Sequence, residues 1–190
     1  MLTFSIPRAI PIPRAFEPLD STVDIFFDER LRSSRVLDLV MYSASAVGDH
    51  GVVWLALAGV QAARRAQRGA AWKRRFTRVA VGLAVESVVV NGPVKLLFRR
   101  SRPVHLGPRP LHLRQPRTSS FPSGHAAAAF FGAALLRDDD QAWPIYYVLA
   151  VVVAASRIHV RIHHASDVIG GVLTGVVLGE TLRKLVPVEE

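Results

Sequence analysis

The stretch VAVGLAVESVVVNGPVKLLF, residues 79–98, decides the fold class. Its 20 residues would extend about 30 Å as an α-helix, which matches the hydrocarbon thickness of a lipid bilayer. The stretch therefore predicts a helix that spans a membrane. Only Glu86 and Lys95 carry a charge within it. Their nine-residue separation places the two side chains about half a helical turn apart around the helix, so no direct ion pair between them is predicted. Because a carboxyl is costly in lipid, we expect Glu86 to face the protein interior or a partner.

Four further apolar segments flank this stretch, at residues 36–60, 121–136, 142–155 and 168–186. Residues 126–136 and 145–155 are apolar on every side, whereas a helix of a soluble bundle shows a polar face. The last segment carries Gly171, Gly175 and Gly179, the small-residue spacing that lets helices approach closely in lipid. The sequence thus predicts an all-α integral membrane helical bundle of about five transmembrane helices.

The first segment is interrupted at its centre by Gly48, Asp49, His50 and Gly51. Each half of about 12 residues would reach about 18 Å, which is too short to cross a bilayer. We therefore predict one long bent helix over residues 36–60 in preference to a helical hairpin.

Residues 1–35 differ from the rest, because prolines at positions 7, 11, 13 and 18 interrupt their apolar runs. No cleavable signal peptide is predicted. From Ser21 the apolar spacing predicts a short amphipathic helix, with Asp24 completing an acidic capping box. This helix lies either on the membrane surface or against the fold. The whole chain, 1–190, is predicted to be one domain, with an N-terminal tail and interfacial helix at 1–35 and a helical core at 36–186.

Composition excludes several classes of protein. The chain has 24 Lys and Arg against 15 Asp and Glu, a net charge of +9, yet it is 50% hydrophobic, which excludes a disordered chain. The basic residues are divided among the ends of apolar segments, so nucleic acid is not expected as a partner. The sequence contains no cysteine, which excludes disulfides, thiol nucleophiles and thiolate-bound zinc.

The basic residues also predict an orientation. Seven of them fill the first long connection, at positions 64, 65, 68, 73, 74, 75 and 78, and mark it as cytoplasmic. With five crossings, the N-terminal tail and the loops at 99–120 and 157–166 lie on the opposite face.

Three clusters of polar residues fall on that opposite face. The first comprises Lys95, Arg99, Arg100 and Arg102. Pro103 disfavours helix at Arg102, so we expect the Arg102 side chain to turn back toward Lys95. Alone, these cations fit either an anion site or a snorkelling belt at the membrane edge.

The second cluster lies at residues 121–125 and contains Pro122, Ser123, Gly124 and His125 at a predicted helix start. Unpaired backbone N–H groups at a helix start bind anions, and His125 in the first turn can donate a proton to a leaving oxygen. Pro-Ser-Gly is also the sequence of an ordinary turn.

The third cluster comprises Ser156, Arg157, His163 and Asp167. His163 and Asp167 are four residues apart, so the carboxylate can hold one ring nitrogen while the other faces the site. His164, three residues before Asp167, is a rival for the same carboxylate. His159 has no acid at helical spacing and is predicted to be a surface or interfacial residue.

The three clusters together resemble the type 2 phosphatidic acid phosphatase superfamily. They match its three motifs in order and spacing, namely Lys95 with six residues to Arg102-Pro103, then Pro122-Ser123-Gly124-His125, then Ser156-Arg157 with His163 and Asp167. The resemblance covers residues 95–167 directly. The chain is expected to lack the first of the six transmembrane helices that many members have.

The resemblance implies a role for each of these residues. His163 would be the nucleophile that forms a phosphohistidine, Asp167 would orient it, and His125 would protonate the leaving group and then activate water. The phosphoryl oxygens would be held by Lys95, Arg102, Ser123, Gly124 and Arg157. Three fixed cations would replace a metal, so no metal and no cofactor are expected.

The resemblance also implies a reaction and a location. The reaction is hydrolysis of a lipid phosphate or diphosphate, of the polyprenyl phosphate, polyprenyl-linked sugar phosphate or phosphatidic acid type. The expected location is the cell membrane, with the site on the extracytoplasmic face. The bilayer and the lipid substrate are the expected partners, and the glycine seam permits a homo-oligomer.

Two alternative functions share some of these features. A vanadium haloperoxidase would bind vanadate at the same site, although such relatives are soluble and larger. A non-enzymatic membrane protein that binds anionic lipid would explain the charge and the spans but not the three motif spacings.

Overall fold

The computed structural model of this chain describes residues 10–65, 71–104, 113, 118–138 and 140–188, and most of them are helical. The helices are α1 (Glu17–Arg30), α2 (Arg35–Val47), α3 (Val52–Arg65), α4 (Ala71–Val89), α5 (Lys95–Leu97), α6 (Gly124–Leu136), α7 (Trp143–His159) and α8 (Ala165–Leu185). Two 3-10 turns, Arg14–Phe16 and Asp49–Gly51, and one π-helical turn, Val90–Val94, join or precede them. The short strands β1 (Ile10–Pro11) and β2 (Phe98–Arg99) pair in parallel.

Helix α6 lies at the centre of the bundle, in contact with α3, α4, α7 and α8. Small side chains dominate it, and most of its residues are buried. Trp54 of α3, fully buried, packs on Gly132, where an added Cβ would stand 2.6 Å from the indole. The small residues of α6 therefore allow four helices to approach its axis closely.

The glycine seam of α8 faces α6 within the same chain. A Cβ at Gly171 or at Gly175 would collide with the carbonyl of Ser123 or of Ala127, and one at Gly179 would lie 2.8 Å from the Ala134 methyl. The predicted close helix packing is confirmed. Its consequence for the site is that the beginning of α8 is held against the beginning of α6.

The number of membrane crossings is only partly tested. Among the described residues, two helical stretches are long and apolar enough to span a bilayer, Trp72–Leu97 with 26 residues and Ala165–Leu185 with 21. Helices α3, α6 and α7 are apolar but shorter. The all-α bundle is confirmed, whereas the count of five transmembrane helices stays a prediction.

The segment at 36–60 is more sharply divided than one bent helix. Helices α2 and α3 are joined by the 3-10 turn Asp49–Gly51, in which Gly51 adopts φ +70°, a left-handed conformation that favours glycine. The two helices pack on different neighbours, α2 on α7 and α3 on α4, so they do not form a hairpin.

Helix α1 begins at Glu17, so the predicted capping box at Ser21 is wrong. Pro18 fits the first turn of this helix, because the N–H that proline lacks would have no intrahelical acceptor there. The Ser21 hydroxyl donates to the Glu17 carbonyl at 2.8 Å. The sequence left open whether this helix lies on the membrane surface or against the fold. The buried side chain of Phe27 shows contact with the fold, whereas Phe26 is exposed on the outer face of the helix.

His159 lies inside the protein, which corrects its predicted surface position. Its side chain is buried, and its Nε2 lies 2.8 Å from Oδ1 of Asp38 on α2. His159 has no acidic residue at helical spacing, and its partner Asp38 lies 121 residues away in the sequence. Arg32 also fastens the end of α7, donating to the carbonyls of Ile158 and His159 at 2.7 and 2.9 Å.

The basic connection is shorter than predicted, because α3 extends to Arg65 and α4 begins at Ala71, with residues 66–70 outside the description. Arg78 therefore lies in α4. It is buried, and its guanidinium donates to Asp138 at 2.6 Å and to the Leu135 carbonyl at 3.1 Å. Burial raises the pKa of Asp138, but hydrogen bonds and charges of Arg183 and Arg78 outweigh it and keep this pKa below its usual value.

We predict that Gly175→Ala destabilises the bundle, because the new methyl group meets the Ala127 backbone, which cannot move aside as a side chain can. The expected loss is about 2 kcal/mol, the usual range for overpacking. Thermal unfolding in detergent measures it. Gly59→Ala in α3 is the matched control, because no heavy atom lies within 4 Å of its added methyl. Equal melting temperatures for the two variants would contradict the prediction.

Candidate active site

The three predicted clusters meet around one cavity of about 280 Å³. Its wall includes Lys95 of α5, Gly124 and His125 of α6, Arg157 of α7 and His163 of the loop before α8. The close packing of α6 and α8 brings together side chains that are up to 68 positions apart in the sequence. The five-span prediction put the three clusters on one face, and the structure brings these residues to one cavity.

Asp167 is the most deeply buried charged group of the site, with no exposed surface. Its Oδ1 accepts a hydrogen bond from Arg100 at 2.6 Å, and its Oδ2 accepts one from the Ser120 hydroxyl at 2.5 Å. The His164 backbone N–H donates to Oδ2 at 2.9 Å and completes a capping box at the start of α8. A buried carboxylate requires this many donors to offset its desolvation.

Both histidines that compete for Asp167 lie near its Oδ2. The Nδ1 of His164 is 3.2 Å away and that of His163 is 3.6 Å away. Only His163 of the two lines the cavity, and it is 2% exposed. His164 therefore caps α8, and His163 presents its ring to the site.

The hydrogen bonds of His163 assign its tautomer. Its Nε2 lies 3.2 Å from Nη1 of Arg102, and a guanidinium can only donate, so Nε2 carries the lone pair. The proton is then on Nδ1, which is 3.4 Å from the Ser120 hydroxyl and faces Asp167. Burial lowers the pKa of His163 to about 3, although the hydrogen bond to Asp167 opposes this shift. The ring is neutral at pH 7, with its lone pair directed toward Arg102.

Three cations lie in this part of the site, and Arg102 is the one at hydrogen-bond distance from His163. Arg102 turns back as predicted, held by bonds to the carbonyls of Ile162 at 3.0 Å and Ser119 at 3.2 Å. Lys95 and Arg157 are both buried in the cavity wall. Pro103 predicted that the helix carrying Lys95 ends near Arg102, but this helix ends at Leu97.

The start of α6 differs in detail from the prediction. Ser123 is the N-cap residue: its hydroxyl accepts from the Ala126 N–H at 3.4 Å, and its own N–H donates to the Asp167 carbonyl at 2.9 Å. Its buried side chain does not line the cavity. Gly124 and His125 follow in the first turn, where backbone N–H groups have no intrahelical acceptor.

His125 has an acidic neighbour that the motif analysis missed. Its Nε2 is 3.6 Å from Oδ1 of Asp49, which lies in the turn between α2 and α3. The only signal in the sequence was an aspartate in the middle of an apolar segment.

Asp20 of α1 is a second residue that the motif analysis missed. Its carboxylate accepts from the Ser166 N–H at 2.8 Å and the Ser166 hydroxyl at 2.9 Å, and it pairs with Arg100. Arg100 thus bridges Asp20 and Asp167, and the N-terminal helix supports the buried Asp167 carboxylate indirectly. The sequence grouped Arg100 with the basic cluster but gave it no partner.

The profile of the PAP2 superfamily matches residues 75–188 of this chain. The chain belongs to the PAP2 superfamily. The resemblance inferred from the three motifs is therefore confirmed. The match extends beyond those motifs, from the first half of α4 to the end of α8.

Relatives of this PAP2 chain carry the names of phosphatases. It is 35% identical over 135 residues to a decaprenylphosphoryl-5-phosphoribose phosphatase of Mycobacterium tuberculosis, a match that covers 71% of this chain and 72% of the relative. It is 33% identical over 109 residues to the undecaprenyl-diphosphatase of Sulfolobus acidocaldarius, covering 54% and 52%. These names favour neither the haloperoxidase nor the non-enzymatic alternative.

The fold is also that of a known PAP2 protein. The crystal structure of a transmembrane PAP2 type phosphatidylglycerolphosphate phosphatase from Bacillus subtilis superimposes with a TM-score of 0.72 at 19% identity. The superposition covers 91% of this chain and 87% of the other. At this identity the likeness shows the fold, which is that of a membrane protein.

We predict that Asp20→Asn lowers kcat about tenfold, equivalent to about 1.4 kcal/mol, because Arg100 loses the charge that positions it on Asp167. KM should change little, since Asp20 does not line the cavity. Phosphate release from a lipid phosphate measures both constants. Glu29→Gln, on the exposed face of the same helix, is the control. A wild-type kcat for Asp20→Asn would contradict the prediction.

Proposed function

We propose that this PAP2 protein hydrolyses a lipid phosphate or diphosphate without a metal, through a phosphohistidine at His163. The observation that carries the proposal is the neutral His163 ring, whose Nε2 lone pair lies 3.2 Å from Arg102 in a cavity lined by cations. A nucleophile that is unprotonated at pH 7 and surrounded by anion-binding groups fits attack on phosphorus.

The cations around the cavity bind the substrate phosphate. Lys95, Arg102 and Arg157 pair with the phosphoryl oxygens, and the N–H groups at the start of α6, beginning with Gly124, add hydrogen bonds. Arg102 and Arg157 are already held by bonds to the Ile162 carbonyl and the Ser45 hydroxyl, so they can stabilise the charge that spreads over the phosphoryl group in the transition state. The Ser123 hydroxyl caps the start of α6 rather than binding the phosphate.

In the first step, Nε2 of His163 attacks phosphorus and forms the P–N bond while the P–O bond to the leaving group breaks. The leaving oxygen takes a proton from His125, which enters this step as an imidazolium because the bound dianionic phosphate favours the charged ring, and which leaves it neutral. The imidazole of His163 becomes positively charged, and its Nδ1–H is stabilised by Ser120 and the Asp167 carboxylate.

In the second step, water attacks the phosphohistidine. Neutral His125 takes a proton from this water, the P–N bond breaks, and the bonding electrons return to Nε2 of His163. Inorganic phosphate leaves, and both histidines regain their starting protonation states.

The proposed location is the extracytoplasmic face of the cell membrane. Lys73, Arg74 and Arg75 lie at the beginning of the 26-residue stretch Trp72–Leu97, about 30 Å before Lys95 in the cavity wall if counted as continuous helix. Since a basic flank marks the cytoplasmic side, the cavity falls on the other side. This location and the names of the relatives support polyprenyl-linked phosphates as the substrate class.

The test is phosphate release by the purified protein in detergent with EDTA present, from farnesyl phosphate, farnesyl diphosphate, a farnesyl-linked sugar phosphate and phosphatidic acid. We expect release from at least one of these lipids and a fall of at least about 1,000-fold for His163→Ala, as for removal of a catalytic nucleophile.

His164→Ala is the matched variant for this test. It is expected to lose no more than about tenfold, because the backbone bond between residue 164 and Asp167 remains. Loss of wild-type activity in EDTA would refute a metal-free mechanism. Comparable turnover by His163→Ala and the wild type would refute the assignment of the nucleophile.

A further inference from the structure

Glu86 is a buried carboxyl that the proposed mechanism does not use. It lies on α4, is 3% exposed, and lines the same cavity as Lys95, His125 and His163. Its Oε1 has no hydrogen-bond partner among the residues that the structure describes. The prediction that this side chain faces the protein interior is confirmed, but its unpaired oxygen has no structural explanation.

Glu86 and Lys95 lie on the same wall of the cavity, on either side of the π-helical turn Val90–Val94. They form no ion pair in the described part of the chain. Ser87 and Asn91 lie between them in the sequence and line the same wall, and Asn91 donates to the Ser87 hydroxyl at 3.3 Å. This wall of the cavity therefore offers a carboxyl, an amide and a hydroxyl.

In the proposed mechanism the reacting phosphate is bound by Lys95, Arg102 and Arg157, which leaves Glu86 for another part of the substrate. A buried carboxyl oxygen needs a hydrogen-bond partner. An ammonium group is disfavoured by the three cations nearby, whereas a hydroxyl is neutral and can donate to a carboxylate or accept from a carboxylic acid, so it pairs with Glu86 in either protonation state.

We propose that Glu86, with Ser87 and Asn91, binds hydroxyl groups of the substrate head group that carries the reacting phosphate. The preferred substrate is then a lipid whose terminal phosphate is attached to a hydroxylated head group, a sugar or a glycerol. A plain polyprenyl diphosphate is disfavoured, because its second phosphate has no donor for Glu86 and faces the carboxyls of Glu86 and Asp49. This inference rests on the proposed function and specifies its substrate class.

The test uses two pairs of lipids that differ only in hydroxyl groups. The sugar pair is farnesylphosphoryl-5-phosphoribose and its 2,3-dideoxy analogue, and the glycerol pair is phosphatidylglycerol phosphate and its analogue without the free hydroxyl. The measured quantity is the ratio of kcat/KM for the hydroxylated lipid to that for the deoxy lipid. We expect a ratio of about tenfold or more for the wild type in one pair, which identifies the head group.

Variants of Glu86 connect this ratio to the carboxyl. The ratio should fall to about one in Glu86→Leu and take an intermediate value in Glu86→Gln, whose amide oxygen still accepts. Glu180→Gln, which makes the same change in a residue paired with Arg137 outside the cavity, should keep the wild-type ratio. A ratio within one protein is independent of the fraction of it that folds.

Two results would overturn this inference: a wild-type ratio near one in both pairs, or a tenfold ratio that persists in Glu86→Leu and Glu86→Gln. Either result leaves the proposed phosphatase function intact, because phosphate is still released. Absence of phosphate release from all four lipids and from farnesyl phosphate, farnesyl diphosphate and phosphatidic acid would instead refute the proposed function itself.

Discussion

The arrangement of the site depends on one constraint, the burial of the Asp167 carboxylate. A charge without solvent contact costs several kcal/mol unless donors surround it. The donors come from three places in the sequence: Arg100 after α5, Ser120 before α6, and residues 163 and 164 before α8. Asp20 adds α1 to this set through Arg100. The hydrogen bonds of one carboxylate therefore join the motif segments.

The second requirement is close approach of the helices that carry these segments. Glycines on α8 and small side chains on α6 place the two backbones in contact, and the Ser123 N–H can then bond to the Asp167 carbonyl. Because both helices begin at this junction, the anion-binding N–H groups of α6 and the histidine before α8 share one cavity. The catalytic geometry is thus a consequence of backbone packing at one end of the bundle.

Local patterns were enough to predict the helical class, the glycine seam and the convergence of His125, His163 and the three cations. They failed where the partner of a residue lies far away in the chain. Asp20 with Ser166 and Asp38 with His159 are separated by 146 and 121 residues, and no periodicity connects such pairs. The choice between His163 and His164 also required the three-dimensional structure. Both residues lie at plausible spacing from Asp167, and of the two only His163 lines the cavity.

The central claim is that His163, held neutral beside Asp167, becomes covalently phosphorylated. Rapid acid-free quenching of the wild-type protein during turnover of a ³²P-labelled lipid phosphate tests this claim most directly, with the labelled peptide identified by mass spectrometry. The predicted result is an acid-labile, base-stable phosphoryl group on His163 that appears and decays at rates compatible with turnover. Phosphate release without any label on the protein, or a label on another residue, would contradict the account.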